Sequence, residues 1–594
     1  MSRRSITSVL GAVVLLAASV VGASSASALA FDATAPGLDF GTVPVYGSLQ
    51  QNVVVTVSGA PVTFDAAPPF VTPVNGAQDQ ADDFSFVSTT CSGTIADATC
   101  TVAIAFNPFA AGPRQATLNI GITSPGTALL VALSGTGVPD ATGTYYGLGT
   151  PTRFLDTRGP TGTGAPLAAG STTTVQILNR SGIPTAGVSA VVFNLTAVAT
   201  TASGFFTTYP SGKARPTTSS INFPRGWTGA NMVTLPVGAD GKIKLYNSGG
   251  AAHAIIDVLG WYAKDDTVRA GRGMGSQFRS TADGDATRLY DSRKDPDNAN
   301  LPFASGEVLD LTDTWPSPAE AAAVKAYAVS ITATAATGSG VFTAWAGGGV
   351  AKPLASAVNY QKGITAPNMV VVPAGHFDPA KPQFWAPDQT GFRVANVGSG
   401  TVHMLVDLVG YYVADDSAGL RFRPLASANA PVRILDTRTA LGLSGAFGAG
   451  KTRTVDATSV TSGDSAYLVG NTTGITPTVS TFLTVWSGAN PLPGVSNLNV
   501  SPTLVRAVST YAPLAFTSTS SKLTFDIFNK AGTVNVLFDA ADTLDLYPGQ
   551  ATAPVGATSS SLGSPLVTAT VGGRTVPGGR SIPSGHPAPT ARRG

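Results

Sequence analysis

Arg153-Phe154-Leu155-Asp156-Thr157-Arg158 and, further along, His253-Ala254-Ile255-Ile256-Asp257-Val258-Leu259-Gly260-Trp261-Tyr262 bracket a stretch that the chain writes three times. The second version runs from Arg288-Leu289-Tyr290-Asp291-Ser292-Arg293 to His403-Met404-Leu405-Val406-Asp407-Leu408-Val409-Gly410-Tyr411-Tyr412. The third runs from Arg433-Ile434-Leu435-Asp436-Thr437-Arg438 to Asn535-Val536-Leu537-Phe538-Asp539 and then departs, with Asp542 where the others carry glycine. Between these ends, Phe205–Tyr209 matches Val341–Trp345 and Phe482–Trp486, and Ser220–Phe223 matches Ala357–Tyr360. Asp156 and Asp291 lie 135 residues apart, and Asp291 and Asp436 lie 145 apart. Solenoid periods run about 20–50 residues, so a period of this length is a whole domain. Apolar residues alternate in short runs separated by Gly, Pro and Ser, which predicts a β-sandwich of roughly eight strands for each repeat.

Composition agrees with an all-β chain. Of 594 residues only 12% are charged, against about 25% in an average globular protein, and the Glu, Lys and Arg that long helices use are scarce. Such a length exceeds one hydrophobic core. A net charge of +2 without a basic stripe argues against nucleic-acid binding.

Arg3 and Arg4, an apolar run from Val9 to Val21 and Ala28-Leu29-Ala30 read as a cleavable signal peptide over residues 1–30, with the mature chain starting at Phe31. No later stretch is apolar for the length a spanning helix needs, so the expectation is a secreted or envelope-associated protein with no transmembrane segment after cleavage. Cys91 and Cys100 are the only cysteines. Export and close spacing predict a disulfide between them, while two sulfurs without histidine neighbours fall short of a zinc site.

Residues 31–140 form a separate unit. Leu38-Asp39-Phe40-Gly41 opens it, Cys100–Phe106 alternates with period two ahead of a turn at Pro108, and Leu133-Ser134-Gly135-Thr136-Gly137 closes it. This order resembles the choice-of-anchor D family of Hydin-like immunoglobulin-fold domains, which implies a sandwich without catalytic residues. The three units that follow, at 141–265, 266–415 and 416–548, resemble the LDTR-type repeats of exported actinobacterial proteins, a likeness that implies location more than chemistry. Residues 549–594 are Pro, Gly, Ser, Ala and Thr with few large apolar side chains, which predicts a disordered tail.

Asp156 and Arg158, like Asp291/Arg293 and Asp436/Arg438, fall on one face of a regular strand. Asp257, Asp407 and Asp539 sit in very apolar strands, where an ionised carboxylate needs a partner. An arginine of each opening motif is therefore expected to hold the late aspartate, the reach of Arg158 to Asp257 testing the pairing. The expected role of Arg153, Arg288 and Arg433, of the other arginines and of all six aspartates is structural. His253 and His403, replaced by Asn535, read as a hydrogen-bonding position.

Gly445–Thr452 fits G-x-x-x-x-G-K-[ST], yet Thr452-Arg453-Thr454-Val455 alternates like a strand, and a phosphate loop needs a helix there. Asp295–Asn300 is acidic but lacks the bidentate Glu of a calcium loop. Trp227, Trp345 and Trp486 are candidate sugar platforms, the last two at a repeated position typical of core. The reading is four tandem sandwiches in a non-enzymatic protein without cofactor or metal, its partner a cell-wall glycan or an extracellular protein. The alternative is an extracellular glycan hydrolase or an accessory module of cell-wall turnover, which would need two carboxylates about 5–10 Å apart in one cleft.

Overall fold

The computed structural model describes residues 31–547 apart from short loop segments, together with the short strands Thr568–Val571, Arg574–Pro577 and Thr590–Arg593 of the C-terminal part. The expected signal peptide and most of the expected tail lie outside the described residues. Strands dominate, and the longest described helix is Pro318–Ala323. No described helix is long and apolar enough to cross a membrane.

The chain forms two compact units, the first ending at Val138 and the second beginning at Pro139. In the first unit, alternation of buried and exposed residues along Leu49–Gly59 and Gly112–Ser124 is what a half-buried antiparallel sheet requires. Phe31–Thr34, Leu49–Gly59, Ala98–Phe106 and Phe84–Thr89 make one sheet, and Leu38–Pro44, Thr127–Val138 and Gly112–Ser124 lead the other. Phe40, Phe84 and Phe106 pack between them. Cys91 and Cys100 are joined as a disulfide in this core, closing a short loop, as their spacing predicts.

The second unit holds three sandwiches. In the first, the opening strand Tyr145–Asp156, the closing strand His253–Ala263, Val188–Val198 and Gly229–Pro236 make one sheet, and Thr172–Gln176, Lys242–Asn247, Gly204–Pro210 and Ile221–Phe223 the other. That is the eight-strand count expected from the sequence. Closing strands are buried along nearly their whole length because sheet neighbours flank both edges and side chains pack on both faces. Gln277–Ser280 bonds to both His403–Val413 and Gly419–Pro424, so a ten-stranded sheet runs through the second and third sandwiches.

The three sandwiches close a ring in which each touches both others. Asn368 of the second donates to Asn194 Oδ1 of the first at 3.0 Å and accepts from Met232 N at 3.1 Å. Asn231 of the first donates to Asn471 Oδ1 of the third at 3.0 Å and accepts from Ser509 N at 2.8 Å. Asp285 of the second accepts from Ser487 N and Asn490 Nδ2 of the third, both at 2.9 Å. At the centre, Tyr145, Tyr262, Tyr412 and Tyr511 are buried, their rings meeting across the sandwiches and the Tyr412 hydroxyl bonding those of Tyr262 and Tyr511. Tandem order in sequence has become a closed three-membered body around a buried hub.

Candidate functional site

Each opening strand meets its closing strand at the charged motif. Arg153 lies directly opposite Asp257, Arg288 opposite Asp407 and Arg433 opposite Asp539. Just after the arginine each pair has the same irregularity, between Arg153 and Leu155, Arg288 and Tyr290, and Arg433 and Leu435. A bulge inserts one residue and re-aims the chain that follows. It therefore puts Arg153 and Asp156, three residues apart, on the same side, where a regular strand would separate them.

That bulge decides which arginine does what. Arg153 Nε and Nη2 grip Asp257 Oδ1 and Oδ2 at 2.9 and 3.2 Å, while its Nη1 reaches Asp156 Oδ2 at 3.0 Å. Arg158 does not hold Asp257 but closes on Asp156 through Nε at 2.9 Å, Nη2 at 2.8 Å and its backbone N at 3.1 Å. The same assignment recurs with Arg288, Asp291, Arg293 and Asp407. It recurs again with Arg433, Asp436, Arg438 and Asp539. The sequence left open which arginine of the motif holds the late aspartate, with the reach of Arg158 as the test; the inserted residue gives that role to Arg153.

The two aspartates of each set face opposite pressures. Arg158 hydrogen bonds pull Asp156 down to about 2. Asp257, only 1% exposed, is pushed up by burial despite the Arg153 grip. Burial raises Asp407 to about 6 and also lifts Asp539. Burial opposes ionisation of Asp291 too, but the Arg293 hydrogen bonds hold it below the usual carboxylate value.

At the edge of each set a hydroxyl fixes the next residue. Thr157 Oγ1 lies 2.9 Å from His253 Nδ1 and accepts from Ala254 N at 3.0 Å. Ser292 does the same for His403 and Met404 N, and Thr437 for Asn535 and Val536 N. The Asn535 oxygen is an acceptor only, so the hydroxyl donates there; at the two histidines the direction follows the ring tautomer.

Chemically this is a closed arrangement. Asp156 accepts four hydrogen bonds, which uses all the lone-pair sites a carboxylate has. Among the described residues no His, Cys, Asp and Glu group could hold a metal ion. Lys451, the lysine of the phosphate-loop pattern, begins the strand Lys451–Asp456 instead of a helix. In the acidic loop, Asp295 Oδ2 accepts from the Tyr290 hydroxyl and Asn298 Nδ2. Trp227, Trp345 and Trp486 are 5%, 5% and 4% exposed, so none is a platform for a sugar ring. Trp345 and Trp486 spend their indole N–H on Val350 O and Asn490 O.

No known family model matches the chain, and no curated protein does. Among solved structures, the secreted serine protease VesC from Vibrio cholerae is 17% identical over 39% of this chain and 50% of its own, with a TM-score of 0.15. The CBM51-2 and INT domains of ZmpB from Clostridium perfringens, described in complex with GlcNAc, reach 12% identity over 39% and 48%, with a TM-score of 0.11. The triple jelly roll protein of an archaeal virus turret reaches 9% over 67% and 90%, with a TM-score of 0.13. The chain spans about half the length of the first two. Scores this low carry no argument about fold or function.

Reading by sequence missed the inter-sandwich asparagines and the tyrosine hub. Asn194 and Asn231 stand in apolar strands, which is the signal that could have marked them as buried and partnered. It also left without an account Asp542, which is fully buried with neither carboxylate oxygen hydrogen-bonded.

Proposed function

We propose that the protein is a secreted or envelope-associated, non-enzymatic structural and binding protein, whose outer surface meets a cell-wall polysaccharide or a protein partner. The observation that carries the reading is the saturated Asp156, with four hydrogen bonds and no capacity left for a substrate. A catalytic carboxylate must exchange a proton or attack a carbon; this one is locked between two arginines of its own motif and fixes Arg153, which ties the opening strand to the closing strand through Asp257. The three sets act as struts, and the ring they brace is a rigid platform on which loops can present weak contacts in series. The apolar leader before Phe31 and the disulfide support export.

Incubation of the mature full-length chain with purified cell walls and with soluble glycans tests the proposal. Retention without release of reducing ends is the expected result. Turnover of any polysaccharide by the purified protein would overturn it.

A further inference from the structure

The third sandwich contains a cavity of about 180 Å³ bordered by Arg423, Leu425, Val460, Ser462, Thr543 and Asp545. Its origin can be read from the register of the closing strands. Trp261 lies opposite Val191, Tyr411 opposite Tyr327 and Thr543 opposite Leu468, which makes Trp261, Tyr411 and Thr543 equivalent. The same alignment equates Ala263, Val413 and Asp545. In the first sandwich the Trp261 ring stacks on Tyr146 at 4.4 Å, and in the second Tyr411 packs edge-on against Trp315 at 5.5 Å. The third sandwich puts a threonine where those rings stand and a carboxylate where its sisters carry small or branched apolar groups. One change opens the space and the other equips it.

The equipment is polar and partly unspent. Asp545 is 6% exposed. Its Oδ2 accepts from Arg423 Nη1 at 3.2 Å, while its buried Oδ1 has no hydrogen-bond partner. Arg423 also reaches Ser462 Oγ at 3.3 Å, and 59% of its side chain remains exposed. Asp545 Oδ1 is sealed from solvent, so an occupant of the cavity meets the carboxylate at its Oδ2 edge beside the exposed Arg423 guanidinium. Leu425 and Val460 supply an apolar wall opposite these groups. A carboxylate that accepts, a guanidinium and hydroxyls that donate, and an aliphatic wall for C–H groups suit a small ring carrying neighbouring hydroxyls. The volume is well below the roughly 300–1,000 Å³ of sites for larger ligands, which restricts the occupant to a single ring.

We infer that this cavity binds one pyranose residue of a glycan, with Asp545 and Arg423 bridging adjacent sugar hydroxyls. The inference rests on the reading of the protein as a glycan-contacting module, and it names the site and the unit recognised.

The test is a titration of the full-length mature chain with D-glucose, D-galactose, D-mannose and N-acetyl-D-glucosamine, followed by NMR and calorimetry. Wild type is expected to bind at least one of them weakly, near millimolar. Asp545→Asn is expected to lose at least tenfold, and Thr543→Trp, which restores the ring of the first sandwich, to lose binding altogether with an unchanged melting temperature. If Thr543→Trp does not fold, Asp545→Asn decides. Failure of all four sugars to bind wild type, or wild-type affinity in Asp545→Asn, overturns the assignment. Cell-wall retention separates this from the wider proposal: walls retained without monosaccharide binding sinks the pocket alone, and monosaccharide binding without retention sinks only the envelope reading.

Discussion

The two halves of the closing strand have different histories in the three sandwiches. At one step all three carry an aspartate, Asp257, Asp407 or Asp539, each held by the facing arginine. A few residues on, they read Gly260-Trp261-Tyr262, Gly410-Tyr411-Tyr412 and Asp542-Thr543-Leu544. The charged half has little freedom, because removing either member of a buried pair strands the other. The apolar half has much more, because packing can be rearranged by paired changes. A Cβ on Gly260 would come within 2.3 Å of the Tyr145 hydroxyl oxygen, and one on Gly410 within 2.5 Å of the Phe278 ring. The third sandwich accepts Asp542 at this step and carries its glycine across the ladder as Gly470, where the others have Phe193 and Val329. Its hub tyrosine likewise comes from another strand of the sheet, as Tyr511, while Leu544 stands at the step of Tyr262 and Tyr412.

The largest effect should come from breaking the half that does not vary. Arg153→Ala leaves Asp257 buried and unpaired, and a loss of about 3–5 kcal/mol in chemical denaturation is expected. Arg288→Ala and Arg433→Ala should cost a similar amount; a near-neutral result in any one sandwich would end the claim that the three struts are equivalent.

A smaller effect of opposite sign is expected in the variable half. Burial raises the pKa of Asp542 well above its ordinary value of 3.8. A raised carboxyl contributes most to stability below its unfolded value, and that contribution disappears as pH rises through the folded one. Asp542→Asn removes the dependence, so it should stabilise the second unit at neutral pH by about 1–3 kcal/mol. Thermal melts from pH 4 to 8 should fall for wild type and flatten for the variant. A variant less stable than wild type at neutral pH would show that Asp542 has a partner it needs.

The contrast between the opening-motif aspartate and the closing-strand aspartate can be sharpened by titrating one of each, from the first and the second strut. Asp156, lowered to about 2, supports the fold above pH 3.8 and loses that support as pH falls toward 2. Asp407, raised to about 6, favours the fold below pH 3.8 and loses that contribution as pH rises through 6. Carbon-detected NMR of the two side-chain carboxyls should find them on opposite sides of 3.8, and coincident midpoints would refute the division of roles. The smallest effect belongs to Arg158→Ala. That side chain is 45% exposed, and about 0–1 kcal/mol is expected in the same denaturation experiment.

Period-two alternation, the scarcity of charged residues and three matching pairs of motif ends were enough to read an all-β chain of sandwiches, because side-chain periodicity is a local property of the strand. The two cysteines announced their bond by close spacing together with the expected export. The identity of the gripping arginine was not legible, since one bulged residue reverses which side chains share a face and leaves no compositional mark. Nor was the burial of Trp227, which depends on what packs above its strand, whereas the repeated position of Trp345 and Trp486 already pointed to core.

The sequence by itself determined the strands, the repeat length and the chemical types at the motif ends, all of which follow from residues within a few steps of one another. Only the tertiary structure decided that three sandwiches share one hub of tyrosines, that Arg153 and not Arg158 holds Asp257, and that the third closing strand frames a cavity. These depend on groups brought together from distant parts of the chain, where burial and the direction of a side chain, not its identity, set the outcome.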